Sequence, residues 1–210
     1  MIYFQRMRLS LTMLLVFFSL LGKAQYFEAE IKEALRSEPR FVAYLDSRGA
    51  FISRNGVRVI GVKAGIQFGE KLTFGMGYNQ LYSTYRNTII HEGLEKEVDL
   101  RYWYISPFVE YTFYRDRKWE LMIPVQFGFG ESFYETRNDS RAIRYAFVVS
   151  YEPAIAFQYR FLNYFGAGFG LGYRLMIVPN PSLEESFTSP VYMLKFKVYF
   201  DDLFGKLKQP

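Results

Sequence analysis

From Val57 to Phe200, apolar side chains recur at every second position, and no stretch there is apolar for long enough to make a membrane-spanning helix. The clearest run is Ile143 to Tyr159. Its odd positions include Ile143, Tyr145, Phe147, Val149, Tyr151, Ile155 and Phe157; its even positions include Arg144, Ser150, Glu152, Ala154 and Gln158. A period of two is the period of a strand whose faces meet different surroundings. The same rule holds over Ile60–Phe68, Leu72–Tyr78, Trp119–Phe129, Phe165–Ile177 and Tyr192–Phe200, and less cleanly over residues 97–114, where Trp103, Ile105, Pro107, Val109, Tyr111 and Phe113 form the outer set. Phe41–Ile52 makes an eighth, weaker candidate, because Asp46, Arg48 and Gly49 interrupt it.

The character of the second face decides what the first one meets. A soluble sandwich turns an apolar face to its core and a uniformly solvated one to water. Here the second face is small, rich in Gly, Ala and Ser, and broken by single charges: Lys63, Glu110, Glu152, Arg174 and Lys195. That suits the interior of a narrow barrel, where eight strands leave room only for interdigitating side chains. Ions sealed there must pair, because a lone buried charge is very costly. The reading is therefore an all-β chain, a transmembrane antiparallel up-and-down barrel of about eight strands. Phe127, Phe147, Phe169 and Phe196 face lipid, and the five charges form a lumenal network.

The connections follow suit. Short links are expected at Gly69-Glu70-Lys71, Arg115–Lys118 and Arg160–Asn163, alternating with longer polar ones at Arg86–Lys96, Tyr134–Arg141 and Pro179–Thr188. Ser53-Arg54-Asn55-Gly56 carries an Asn-Gly turn signal on the long-loop side. Outer-membrane barrels place short turns in the periplasm and longer loops outside. The 22 Phe and 18 Tyr would supply the lipid face and interfacial girdles, with Trp103, Trp119, Tyr159 and Tyr199 toward the turns and Tyr82, Tyr85 and Tyr134 toward the loops.

The start of the chain reads as a cleaved secretory signal over residues 1–24. Two arginines precede an apolar run, Leu9–Leu21, which is too short to span a bilayer, and Gly22-Lys23-Ala24 sets small residues at a cleavage site. Three of the 26 basic residues and none of the 21 acidic ones lie in that leader, which leaves a mature chain near +2 with no basic stripe for nucleic acid. Residues 25–40 form a periplasmic N-terminal segment. Phe27, Ile31, Ala34 and Leu35 recur there at helical spacing until Pro39, predicting a short amphipathic helix at the membrane interface or across the barrel mouth. The barrel takes 41–202, and 203–210 is a basic tail.

On the signal ending at Ala24-Gln25, the Trp119–Gly130 segment and the Glu152-Pro153 to Tyr173-Arg174 stretch with its alternating glycines, the chain resembles the small, porin-like outer-membrane β-barrel proteins of Bacteroidota-type Gram-negative bacteria. The resemblance covers roughly residues 57–202 and implies fold and an outer-membrane location, with no single activity. It also implies outer-membrane lipids and the barrel-assembly machinery as partners. Proteins of this kind often end on an aromatic residue; here Phe200 is followed by the tail.

No catalytic set stands out. His91 is the sole histidine, and a lipid-modifying enzyme would need a serine beside it; Ser83, Ser132 and Ser140 are the loop-side candidates, at no telling spacing. With no cysteine and one histidine, no metal centre or cofactor is expected. Gly166–Gly170 has period two and no following helix, so it is no nucleotide fingerprint. The expectation is a non-enzymatic structural or surface-interaction barrel. The alternatives are a narrow small-solute channel and a lipid-modifying enzyme using His91.

Overall fold

The structure is a computed structural model and describes residues 27–52, 55–91, 93–137, 141–161, 164–178 and 187–200. One helix, α1 (residues 27–36), precedes nine strands: β1 (Pro39–Ile52), β2 (Asn55–Phe68), β3 (Leu72–Leu81), β4 (Tyr85–His91), β5 (Leu94–Asp116), β6 (Trp119–Thr136), β7 (Ala142–Phe161), β8 (Phe165–Val178) and β9 (Ser189–Tyr199). Among the described residues no helix is long and apolar enough to cross a membrane. The leader lies outside the described residues.

All pairings are antiparallel. They run β1-β2-β3-β5-β6-β7-β8-β9 and return to β1, through Leu45↔Phe196 at one seam and Tyr78↔Ile105 at another. β3 and β4 occupy one place in this ring, both alongside β5, broken only at residues 82–84. That gives eight positions, with β4 paired on one side only, to β5.

Parity around the ring is that of a barrel with its apolar side outward. Val62, Met76, Ile155, Leu171 and Leu194 are more than half exposed, while Lys63, Gly77, Ser106, Glu152, Gln158 and Arg174 are buried. Asp46 and Arg48, which looked like interruptions of the first strand, follow the same rule: with Val42, Tyr44, Ala50 and Ile52 they line the inside of β1. Gly49 falls on the outer side by alternation, and the Tyr192 ring of β9 lies over it. A Cβ there would come within 1.9 Å of the ring, so the aromatic covers the gap left by the glycine.

Three expectations are corrected. Residues 86–96 are not a loop: β4 and β5 continue as a hairpin, Arg86↔Asp99 to His91↔Leu94, beyond the end of β3. The polar character of its outer face had hidden the strand signal. Asn55 and Gly56 belong to β2, paired with Ile52 and Phe51; Ser53 and Arg54 lie outside the described residues. Ile143 does not face outward but is buried. Arg144 adopts φ 56°, and two residues, Arg144 and Tyr145, bulge opposite Phe133, so parity reverses at the top of β7.

Strand lengths define two ends. β5, β6 and β7 have 23, 18 and 20 residues, against 10 to 14 for β1, β2, β3, β8 and β9. At ~3.3 Å per residue and a tilt of ~40°, twelve residues already rise about 30 Å, enough for an apolar band. The surplus of β5–β7, with β4, projects at the loop end.

The lumen as candidate functional site

The interior is built in layers, and the middle one is ionic. Glu152 on β7 lies between two arginines. It accepts from Arg174 Nε at 2.8 Å and pairs with Arg48 Nη1, and all three side chains are at most 3% exposed. Asp46 continues the network, accepting from Arg48 Nη2 at 2.9 Å and pairing with Lys63 Nζ at 2.9 Å. Lys63 also donates to Gln126 Oε1 at 2.6 Å. One step toward the turns, Glu110 pairs with Lys195, faces Lys197 Nζ at 3.9 Å and accepts from the Tyr44 hydroxyl at 3.3 Å.

All five charges expected in the lumen are inside and paired, with Asp46, Arg48 and Lys197 joining them. Each sits on the small face because the strand period puts it there, and glycines across the wall clear the space. A Cβ on Gly77 would meet Lys63 Cγ at 2.5 Å, and one on Gly166 would meet Gln158 Nε2 at 2.6 Å. Aromatic rings take up part of the charge as well: Lys195 Nζ lies 4.1 Å from the Tyr44 ring centroid and Lys197 Nζ 4.7 Å from that of Tyr199. The void enclosed by Tyr44, Arg48, Lys63, Glu110, Glu152 and Lys195 is about 10 Å³, no more than a single water needs.

Toward the turns, Glu120 accepts from Gln158 Nε2 and Tyr199 OH, both at 3.2 Å, and faces Arg115 Nη1 at 3.6 Å. Toward the loops the interior turns apolar. Ala50, Ile52, Val57, Val59, Leu81, Ile89, Val98, Leu100, Tyr102, Tyr104, Tyr134, Ile143, Val148 and Val191 form one buried cluster with Phe187. Phe187 precedes β9, is 3% exposed, and sets its ring 5.1 Å from that of Tyr102. Arg144 closes the same end from the wall, donating to the Ile90 carbonyl at 2.8 Å and so tying the top of β7 to the β4–β5 hairpin.

This layer corrects the picture of a uniformly small inner face. Tyr134 and Tyr199, expected in interfacial girdles, are buried inside, and Tyr85 packs against the apolar cluster. Glycine makes room for rings as well as for ions: Gly65 and Gly75 abut Phe108, and Gly128 and Gly130 abut Tyr104. Trp103 stacks on Tyr78 at 6.2 Å in the loop-ward half, not near the turns, whereas Trp119 and Tyr159 lie where expected, 4.8 Å apart.

Outside, Phe127, Phe147 and Phe196 are 42%, 57% and 36% exposed, and Phe169 is half-buried against Phe157. They lie around the wall and share no core. Phe147 pairs with Glu131, itself opposite Trp103, so it marks the loop-side border of the apolar band. Beyond Trp103 the outer wall becomes ionic: Arg101 Nε donates to Glu135 at 2.6 Å, and Arg137 lies 3.4 Å from Glu97 and 3.7 Å from Asp99.

His91 ends β4, near the hairpin tip, where Ile90 and Leu94 are 67% and 64% exposed. No hydrogen bond joins it to a serine among the described residues. Ser83 Oγ accepts from the Arg58 amide, Ser132 points into the lumen and is fully buried, and Ser140 lies outside the described residues. No group of His, Asp and Glu able to hold a metal occurs among the described residues.

An antiparallel ring of eight positions with its apolar face outward and its ions inside is the fold of the small outer-membrane β-barrels. Solved structures of that class are similar to this chain. Neisserial surface protein A matches with a TM-score of 0.55 at 12% identity, over 77% of this chain and 97% of its own. The outer membrane protein OprG from Pseudomonas aeruginosa matches with a TM-score of 0.50 at 8% identity, over 77% and 95%. No family model and no curated protein matches the sequence.

Proposed function

We propose that the chain resides in the outer membrane as a sealed, non-catalytic barrel that presents its β4–β5–β6 extension at the cell surface as a recognition element. One observation carries this reading: among the described residues the lumen is filled. Its ionic layer leaves a void of about 10 Å³, and an apolar layer closed by Phe187 lies above it. A filled barrel has no aqueous path for a solute, so the charges act to zip the interior together, not to select ions. The channel alternative loses its physical basis there, and among the described residues no serine is hydrogen-bonded to His91 to favour the enzyme alternative.

The location rests on the outer wall. Its apolar band runs from the level of Trp119 and Tyr159 to that of Tyr78 and Trp103, and ionic side chains follow directly beyond. On this reading residues 1–24 direct export and are removed, and residues 25–40 stay on the periplasmic side of the membrane. Phe127, Phe147, Phe169 and Phe196 meet lipid. The barrel-assembly machinery inserts the chain, with Phe200, whose ring lies 5.4 Å from that of Phe41, as the terminal aromatic of the barrel. The resemblance carried by Trp119–Gly130 and Glu152–Arg174 is what favours a Gram-negative host of the Bacteroidota type.

The test uses the absence of native cysteine. In intact cells, a membrane-impermeant maleimide should label Ile90→Cys at the hairpin tip and leave Glu70→Cys, in the β2–β3 turn, unlabelled until the outer membrane is opened. Planar-bilayer recordings of the purified protein should be silent. Recovery in the soluble periplasmic fraction would overturn the location, and steady conductance would overturn the sealed lumen.

A further inference from the structure

The contacts of α1 bear on the two places open to it, the membrane interface and the barrel mouth. Phe27 sets its ring edge-on to Tyr111, with centroids 5.0 Å apart. Tyr111 OH donates to Glu30 at 2.5 Å, and Lys71 in the β2–β3 turn pairs with the same carboxylate. At the other end of the helix, a Cβ on Gly69 would stand 3.8 Å from Ala34 Cα and 3.1 Å from Ser37 Oγ. Tyr111 belongs to the outer set of β5, between exposed Val109 and Phe113. Leu72, its partner in register and outward by parity, is nonetheless only 4% exposed. The helix is therefore fastened to the outside of the wall at the turn end, and the lumen mouth is left to Glu120, Tyr199 and their neighbours.

At about 100° per residue, Glu30 and Ala34 point at the wall, and Phe27, Ile31 and Leu35 form the adjoining edge. That edge is only partly covered, with Phe27 at 50% and Leu35 at 47% exposure. Glu28, Lys32, Glu33 and Arg36 occupy the far side, where Lys32 donates to Glu28 at 2.6 Å. Through Phe27 on Tyr111 the edge meets Val109 and Phe113 of β5, and the register carries the outward apolar row on from Val109 to Phe74, Ile66 and Phe41.

We propose that α1 is a membrane-interface foot, its Phe27–Ile31–Leu35 edge seated among the lipids of the leaflet nearest the short turns while Glu30 fixes it to Lys71 and Tyr111. The proposal rests on the reading of the barrel as membrane-spanning. It commits to lipid as the occupant because the edge runs into the lipid face of the wall. Three glutamates against two basic residues on α1 mean that apolar area, not anionic headgroups, drives the seating.

The experiment places single nitroxide labels, each unique because the chain has no cysteine, at Leu35→Cys, Lys32→Cys and Leu171→Cys, the last on the outer wall of β8. The full chain is reconstituted in phosphatidylcholine vesicles, and collision with oxygen is compared with collision with a water-soluble nickel chelate. The label at Leu35 should favour oxygen several-fold over nickel, as at Leu171, and the label at Lys32 should show the reverse. Oxygen preference at Leu171 with nickel preference at Leu35, or equal values at Leu35 and Lys32, overturns the foot and leaves the barrel reading standing. Nickel preference at Leu171 overturns both.

Discussion

Arg174 and Glu152, on adjacent strands and each 1% exposed, form an ion pair of 2.8 Å that Arg48 completes from the far side of the lumen. Two guanidinium groups share one carboxylate, all three side chains at most 3% exposed. Removing one partner of such an arrangement leaves uncompensated buried charge, which costs about 3–5 kcal/mol. Glu152→Ala should therefore lower unfolding stability in lipid by that amount, read from urea titrations of the reconstituted barrel. Glu152→Gln should cost less, since it keeps the shape and one acceptor. A loss below about 1 kcal/mol for the alanine variant would mean that the network is solvated.

The outer wall makes the opposite demand. Phe127, level with Tyr151 and 5.1 Å from its ring, lies well inside the apolar band. Phe127→Arg should destabilise the barrel in phosphatidylcholine by roughly 2–4 kcal/mol. In a soluble protein the same change at a 42% exposed site would be nearly neutral. Refolding yields into vesicles, followed by the heat-dependent shift in gel mobility, separate the two outcomes.

Much of this was legible in the chain, and the failures have physical reasons. The period of two fixed which side chains share a face wherever both environments differ in polarity. It reads the two faces of β2, β6, β8 and β9. In β1 the same rule holds: Asp46 and Arg48 interrupt the apolar run, yet their spacing from Tyr44 and Ala50 puts them inside. The β4–β5 hairpin was hidden because its outer side leaves the membrane and becomes as polar as a loop. Its only trace was Ile89, Val98 and Leu100 on the inner side. Bulge-driven parity changes, as at Arg144, depend on register with Phe133 across the strand pair, and register is not written locally. Nor could alternation tell an outward tyrosine from an inward one such as Tyr134.

Phe187 closes the loop end, but it is not the lumen's only seal. Phe187→Ser removes a ring packed on Tyr102 and introduces a hydroxyl, which should cost about 3 kcal/mol through the cavity it leaves. Bilayer recordings of the variant should remain silent, because the Arg48–Glu152–Arg174 layer beneath is unchanged. Conductance appearing in Phe187→Ser would assign gating to that residue alone.

The fastening of α1 should depend on pH through Glu30. Hydrogen bonds from Lys71 and then Tyr111 outweigh the effect of burial and hold its carboxyl below the ordinary value of 4.5. A lowered value in the docked state means that the ionised form is the one docking favours. The contribution is complete above the ordinary value and is lost as pH falls below it, through the lowered one. A spin label at Arg36→Cys should thus be immobile at neutral pH and gain motion only in acid. Glu30→Gln should abolish that dependence and leave α1 loosened at every pH, and added salt should weaken the wild-type fastening because the pair is partly exposed. Acid-induced motion persisting in Glu30→Gln would point to another group as the sensor.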